Sequence, residues 1–123
     1  MPPVRIVHLG LGNFFRAHQA WYTDLAPDAA EWGIAAFAGR SIGIGADLQQ
    51  QDNLYTLVTV GPEGNEYRTI GSLAATHSGT DIAALLDYLA DPQVSIVTMT
   101  ITEAGYVRDE RGEHEVDDGV RCA

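Results

Sequence analysis

The stretch Arg5-Ile6-Val7-His8-Leu9-Gly10-Leu11-Gly12-Asn13-Phe14-Phe15-Arg16-Ala17-His18-Gln19-Ala20 decides the fold. A short run with a β-forming apolar centre leads into two glycines one residue apart. A helical apolar pattern starts directly behind them, giving the strand, tight turn and helix of a dinucleotide-binding unit. Gly10 can take backbone angles closed to other residues, and Gly12 has no side chain to obstruct a diphosphate. Bare amides at the start of the helix can then face that negative charge, and the helix dipole adds to the attraction.

The usual third glycine of such turns is missing. Its place falls to Phe15, so the helix cannot approach the strand closely there, and Ala17 is the nearest small residue. Behind the turn, Phe14, Ala17, Trp21 and Leu25 recur at steps of three and four. They predict one helix with an apolar stripe on the sheet, closed by Pro27, with Trp21 and Tyr22 as core and rim.

Trp32 to Ala38 is an unbroken apolar run, as expected of a second parallel strand buried on both faces. A short helix is expected over Gly45 to Asp52. Tyr55 to Val60 and Glu66 to Ile70 flank Gly61-Pro62-Glu63-Gly64-Asn65 and predict an antiparallel hairpin, with Ser72 to His77 extending the sheet. Ile82, Leu85, Leu86 and Leu89 lie on one face of a helix that Asp91-Pro92 ends. Val94 to Thr100, rich in β-branched residues, is expected as another central strand whose end meets the glycine turn. The fold class is α/β, a Rossmann-like doubly wound and mainly parallel sheet with the hairpin as an addition.

Ligands of such sheets collect at the carboxyl ends of the strands. Thr100, Thr102 and Glu103 fall there, beside ribose and nicotinamide. Glu103 is the candidate for a supporting catalytic role, against a plain helix-start carboxylate. After the second strand a carboxylate normally holds the adenosine ribose, but the chain reads Gly39-Arg40-Ser41, and Glu31 stands at the wrong end. Arg40 offers paired donors to a 2′-phosphate, which points to NADP; a solvated loop arginine is the alternative. The cofactor-binding set is therefore Gly10, Gly12, Asn13, Phe14, Arg40, Thr100 and Thr102, with NAD or NADP as the cofactor.

Ile6-Val7-His8-Leu9-Gly10-x-Gly12-Asn13-Phe14-x-Arg16-Ala17-His18-Gln19-Ala20 resembles the opening of the polyol-specific long-chain dehydrogenases, the family of mannitol dehydrogenases and of fructuronate and tagaturonate reductases. Leu54-Tyr55-Thr56-Leu57-Val58 and Thr100-Ile101-Thr102-Glu103-Ala104-Gly105-Tyr106 agree with it in order. The resemblance implies hydride transfer between a nicotinamide and a polyol or keto-sugar such as mannitol, fructose or fructuronate. It also implies that the general-base lysine, an asparagine and a histidine come from a following, mostly helical domain. The family often has lysine where Ala104 stands. All seven basic residues here are arginines: Arg5, Arg16, Arg40, Arg68, Arg108, Arg111 and Arg121. By this reading residues 1–107 form a dinucleotide-binding domain, incomplete beside the family's full-length enzymes and inactive alone. Residues 108–123, crowded with acids, form a loop or frayed tail.

Composition narrows the classes. Seven basic against 17 acidic residues give a net charge of −10, which repels nucleic acid and anionic membranes. A local cradle of amides still holds a phosphate, because distant carboxylates are screened. One cysteine, Cys122, excludes an internal disulfide, and with no basic and apolar leader before Val4 and no long apolar run, a soluble, cytoplasmic protein is expected. His8, His18, His77 and His114 show no metal spacing, and His8 and His18 read as core or rim packing. No nucleophile elbow or Walker sequence occurs. A methyltransferase-like turn would need a third glycine where Phe14 stands. A free-standing dinucleotide sensor or partner-binding module is the second functional reading.

Overall fold

The computed structural model describes residues 2–39 and 42–101. Four strands form one parallel sheet: β1 (Val4–Leu9), β2 (Gly33–Ala38), β5 (Leu73–Ser78) and β6 (Ile96–Met99), in the order β5-β2-β1-β6. β3 (Tyr55–Gly61) and β4 (Gly64–Ile70) pair antiparallel as a separate two-stranded sheet. The α/β class, the parallel sheet and the added hairpin agree with the sequence.

β2 is buried along its whole length, with β1 on one side and β5 on the other. Its small side chains, Ala35, Ala36 and Ala38, let the covering elements pack close on both faces. Ile6, Leu11, Phe15, Ala20, Ile34, Leu48, Ile70 and Leu73 form one continuous core with Ala36 and Ala38.

The single helix expected behind the glycines is two: α1 (Asn13–Ala17) and α2 (Gln19–Leu25), broken at His18 with φ −122° and ψ −78°. The expected stripe is corrected with it. Phe14 and Leu25 are exposed, while Phe15 and Ala20 point into the core. The Phe15 ring occupies the space that a third glycine would have left for close helix–strand contact. The chain turns at His18 before Ala20 brings α2 back onto the sheet, where the Ser72 hydroxyl donates to the Ala20 carbonyl at 2.7 Å. Ala26, extended ahead of Pro27, ends α2 as expected.

Other boundaries shift. The short helix is α3 (Ile42–Gln50), beginning earlier than read. The hairpin turn is tighter, because Gly61 pairs with Gly64 across Pro62-Glu63. β6 is shorter than Val94 to Thr100 and, among the described residues, lies at the sheet edge beside β1 rather than centrally. α4 (Ile82–Ala90) is capped by Asp81, whose carboxylate accepts from the Ala84 amide at 3.1 Å. On α4, Ile82, Leu86 and Leu89 are exposed, since no described element covers that side; Leu85 is half-buried. Residues 108–123, read as an acidic loop or tail, lie outside the described residues.

Candidate functional site

β1 and β6 run parallel in register, with His8 opposite Thr98 and Leu9 opposite Met99, so both strands end at the same level. The Thr100 amide donates to the Leu9 carbonyl at 3.1 Å, and the Gly10 amide donates to the Phe37 carbonyl of β2 at 2.8 Å. Three strand ends are thereby tied around one corner.

Gly10 has φ +117°, a backbone region costly for any side chain bearing Cβ. A Cβ there would also stand 3.6 Å from both His8 Nε2 and Thr100 Cβ. Gly12 differs: its φ of −100° suits any residue, and a Cβ added to it would meet nothing within 4 Å. The space over Gly12 is open at the mouth of the sheet. The first intrahelical bond of α1 runs from the Arg16 amide to the Gly12 carbonyl at 3.2 Å, so the amides of Asn13, Phe14 and Phe15 have no helical acceptor behind them. Open space beside helix-start amides fits a diphosphate, and α1, only five residues long, contributes amides more than a long-helix dipole.

Of the sequence-selected residues, the structure brings together Gly10, Gly12, Asn13, Phe14 and Thr100. Asn13 is exposed, and its side-chain oxygen accepts from the Arg16 guanidinium. Phe14 is 66% exposed and stacks on His18 at 4.3 Å; the His18 ring, at the rim, also lies 2.8 Å from the Phe14 carbonyl through Nδ1. Arg40, Thr102 and Glu103 lie outside the described residues. Glu31, in a 3₁₀ turn (Ala29–Glu31) before β2, stands at the opposite edge. There, with Pro3, Arg5, Ala30, Pro92 and Gln93, it lines an open surface cavity of about 500 Å³ at the amino ends of the strands.

Sequence reading missed two features. Arg16 puts a cation beside the turn, its Nε donating to the Gly12 carbonyl at 3.2 Å. Beneath the turn, His8 is buried with Nδ1 2.7 Å from Thr98 Oγ1 and Nε2 3.0 Å from Thr100 Oγ1, and its ring stacks on Phe15 at 4.0 Å. Burial lowers the His8 pKa from 6.5 to about 4, so the ring is neutral at physiological pH. The signal was available: His8 is a polar residue among Ile6, Val7 and Leu9, and Thr98 and Thr100 alternate with Val97, Met99 and Ile101.

A parallel sheet with a glycine turn at the carboxyl end of its first strand and a helix start behind it defines a Rossmann-type α/β domain. The chain belongs to the family described as the mannitol dehydrogenase Rossmann domain, which it matches over residues 4–119. It is 37% identical over 113 residues to mannitol 2-dehydrogenase of Cereibacter sphaeroides, covering 87% of this chain and 24% of that protein. It is 41% identical over 112 residues to D-mannonate oxidoreductase of Escherichia coli, covering 85% and 23%. It is 36% identical over 123 residues to polyol:NADP oxidoreductase of Gluconobacter oxydans, covering 94% and 25%. The chain thus spans about a quarter of the length of these relatives. Among the described residues no helix is long and apolar enough to cross a membrane.

Proposed function

We propose that residues 1–107 form the nicotinamide-dinucleotide-binding unit of an oxidoreductase that moves hydride between the cofactor and a polyol or keto-sugar, of the mannitol/fructose or fructuronate kind. The observation that carries the reading is the pairing of a positive-φ Gly10 with an unobstructed Gly12 where β1 and β6 end together. The names of two relatives, mannitol 2-dehydrogenase and polyol:NADP oxidoreductase, support that substrate class. The bound nicotinamide would supply or accept the hydride. The chain's own residues bind and orient: the amides behind Gly12 and the Arg16 guanidinium face the diphosphate, and Thr100 faces the sugar and phosphate oxygens. Asn13 and Phe14 border the same turn. Thr102 is assigned to the same cofactor, and Glu103 to a supporting role in proton movement.

Arg40 at the exit of β2 is assigned to the 2′-position of the adenosine ribose, where it favours NADP over NAD. Because the chain contains no lysine, the general base of a lysine-dependent polyol oxidation comes from outside these residues. The reaction is placed in the cytoplasm, in keeping with a single cysteine.

Titration of the purified chain with NADH and NADPH tests the reading. Binding of either supports it, and binding of neither defeats it. Replacement Arg40→Asp that leaves the preference between them unchanged removes Arg40 from the site. Appreciable turnover of mannitol, fructose or fructuronate by the 123-residue chain would refute the argument that the base lies elsewhere.

A further inference from the structure

No step of the proposed function uses His8, although it is the buried polar side chain closest to the turn. Its register with Thr98 puts both side chains on one face of the sheet, and Thr100, two residues further, shares that face. The ring is 1% exposed and lies 9° from parallel with Phe15, so it cannot swing away from its two threonines. At the far end Gln19 of α2 donates through Nε2 to Thr98 Oγ1 at 2.9 Å.

Counting protons gives this chain of groups a direction. A neutral imidazole carries one N–H and one bare nitrogen, and a hydroxyl carries one proton. Since Gln19 donates into Thr98 Oγ1, the Thr98 proton is free for the bare Nδ1 of His8. The ring proton then sits on Nε2 and is donated to Thr100 Oγ1. Thr100 has its own proton left over, on the side of Gly10 and the open mouth of the sheet. The reverse order, with Nδ1–H donating into Thr98, would leave the half-buried Thr98 proton without either of its neighbours as acceptor. It would also turn Thr100 into an acceptor toward the site.

The geometry points to His8 as a positioning residue. Through Gln19, Thr98 and its own Nε2–H, it fixes the Thr100 hydroxyl as a donor toward an acceptor oxygen of the dinucleotide seated on the Gly10–Gly12 turn. The inference rests on the dinucleotide reading above and adds a direction to it. Diphosphate oxygens only accept, so a hydroxyl held as donor suits them and one held as acceptor repels them. The depressed basicity of the buried ring keeps it in the one-proton form that the relay requires.

Long-range proton–nitrogen NMR of the labelled chain reads the His8 tautomer, and fluorescence titration reads the affinity for NADH. The wild-type ring is expected as the Nε2–H tautomer at pH 7. Thr98→Val, which touches no cofactor, should lose that single tautomer and weaken NADH binding on the order of fivefold, the worth of one hydrogen bond. Thr98→Ser should restore both, which a packing role for Thr98 would not require. An Nδ1–H or doubly protonated wild-type ring overturns the relay even if Thr98→Val fails to fold. So does a folded Thr98→Val with altered tautomer and unchanged affinity. Failure of the wild-type chain to bind NADH and NADPH overturns the dinucleotide reading instead, and with it the role of Thr100.

Discussion

The Tyr55 hydroxyl donates to the backbone carbonyl of Arg16 at 2.6 Å, joining the first residue of the hairpin to the last turn of α1. The bond crosses 39 residues of chain and satisfies a carbonyl just before the helix break at His18. Burial raises the Tyr55 pKa well above its ordinary value, so the phenol stays a donor throughout the useful pH range. Leu54 to Val58, one of the stretches that carried the family resemblance, therefore has a structural task in bracing the helix behind the glycine turn.

Tyr55→Phe should keep the packing and lose that bond. A destabilisation of about 1 kcal/mol in urea denaturation is expected. Amide hydrogen exchange should rise first in α1 and the hairpin; a uniform rise across the sheet would contradict the local role.

Asp24 holds the second strand at the same, open end of the hairpin, where Ile70 pairs with Tyr55. One carboxylate oxygen accepts from the Gly71 amide at 2.9 Å, and the other meets Arg68, with Nη2 at 2.8 Å and Nε at 3.0 Å. Asp24→Ala strands the Gly71 amide and should cost about 1–3 kcal/mol. Asp24→Asn keeps an acceptor and gives up a partly exposed ion pair, costing less than about 1 kcal/mol. Denaturation midpoints of the two variants at low and high salt check the order, and only the ion-pair part should shrink with salt.

The two glycines separate stability from binding. Gly10→Ala forces a Cβ onto φ +117° and should destabilise the chain by roughly 1–3 kcal/mol. Gly12→Ala meets no clash and no strain, so its stability should stay within about 0.5 kcal/mol of wild type. The new methyl stands in the space assigned to the diphosphate, and affinity for NADH or NADPH should fall about tenfold, or about 1.4 kcal/mol. Thermal melting and dinucleotide titration on both variants distinguish the two effects.

His8 makes stability depend on pH. Its pKa of about 4 in the folded chain lies below the unfolded value of 6.5, so the unfolded chain takes up the proton first as pH falls. The contribution is fully present above pH 6.5 and is lost as pH drops from there toward 4, amounting to about 3 kcal/mol at most. Denaturant titrations between pH 7.5 and 4.5 should show this slope, and His8→Gln should flatten it while lowering stability at pH 7.

Much of this molecule was legible in the chain because local chemistry dictated it. Gly10 and Gly12 between an apolar strand and a helix start could form only a tight corner, and the seven residues from Trp32 to Ala38 carry no polar side chain to offer solvent beyond the indole N–H. The β-branched run ending at Thr100 announced a strand, and parallel packing sent it to the same edge. The helix break at His18 was hidden because periodicity counts steps of three and four along one chain. Such counting cannot register that the Phe15 ring must find room against His8, a contact between two elements. The inward turn of Phe15 and the exposure of Phe14 follow from that contact. The same limit hid the proton relay: Gln19, Thr98, His8 and Thr100 are separated by up to 92 residues, and only the register of β1 against β6 makes them neighbours. Sequence by itself determined which backbone could bend and which segments had to be buried, since those are properties of single residues and their spacing. Tertiary structure decided which side chains meet beneath the turn, because hydrogen bonds form between groups brought within about 3 Å, whatever their distance along the chain.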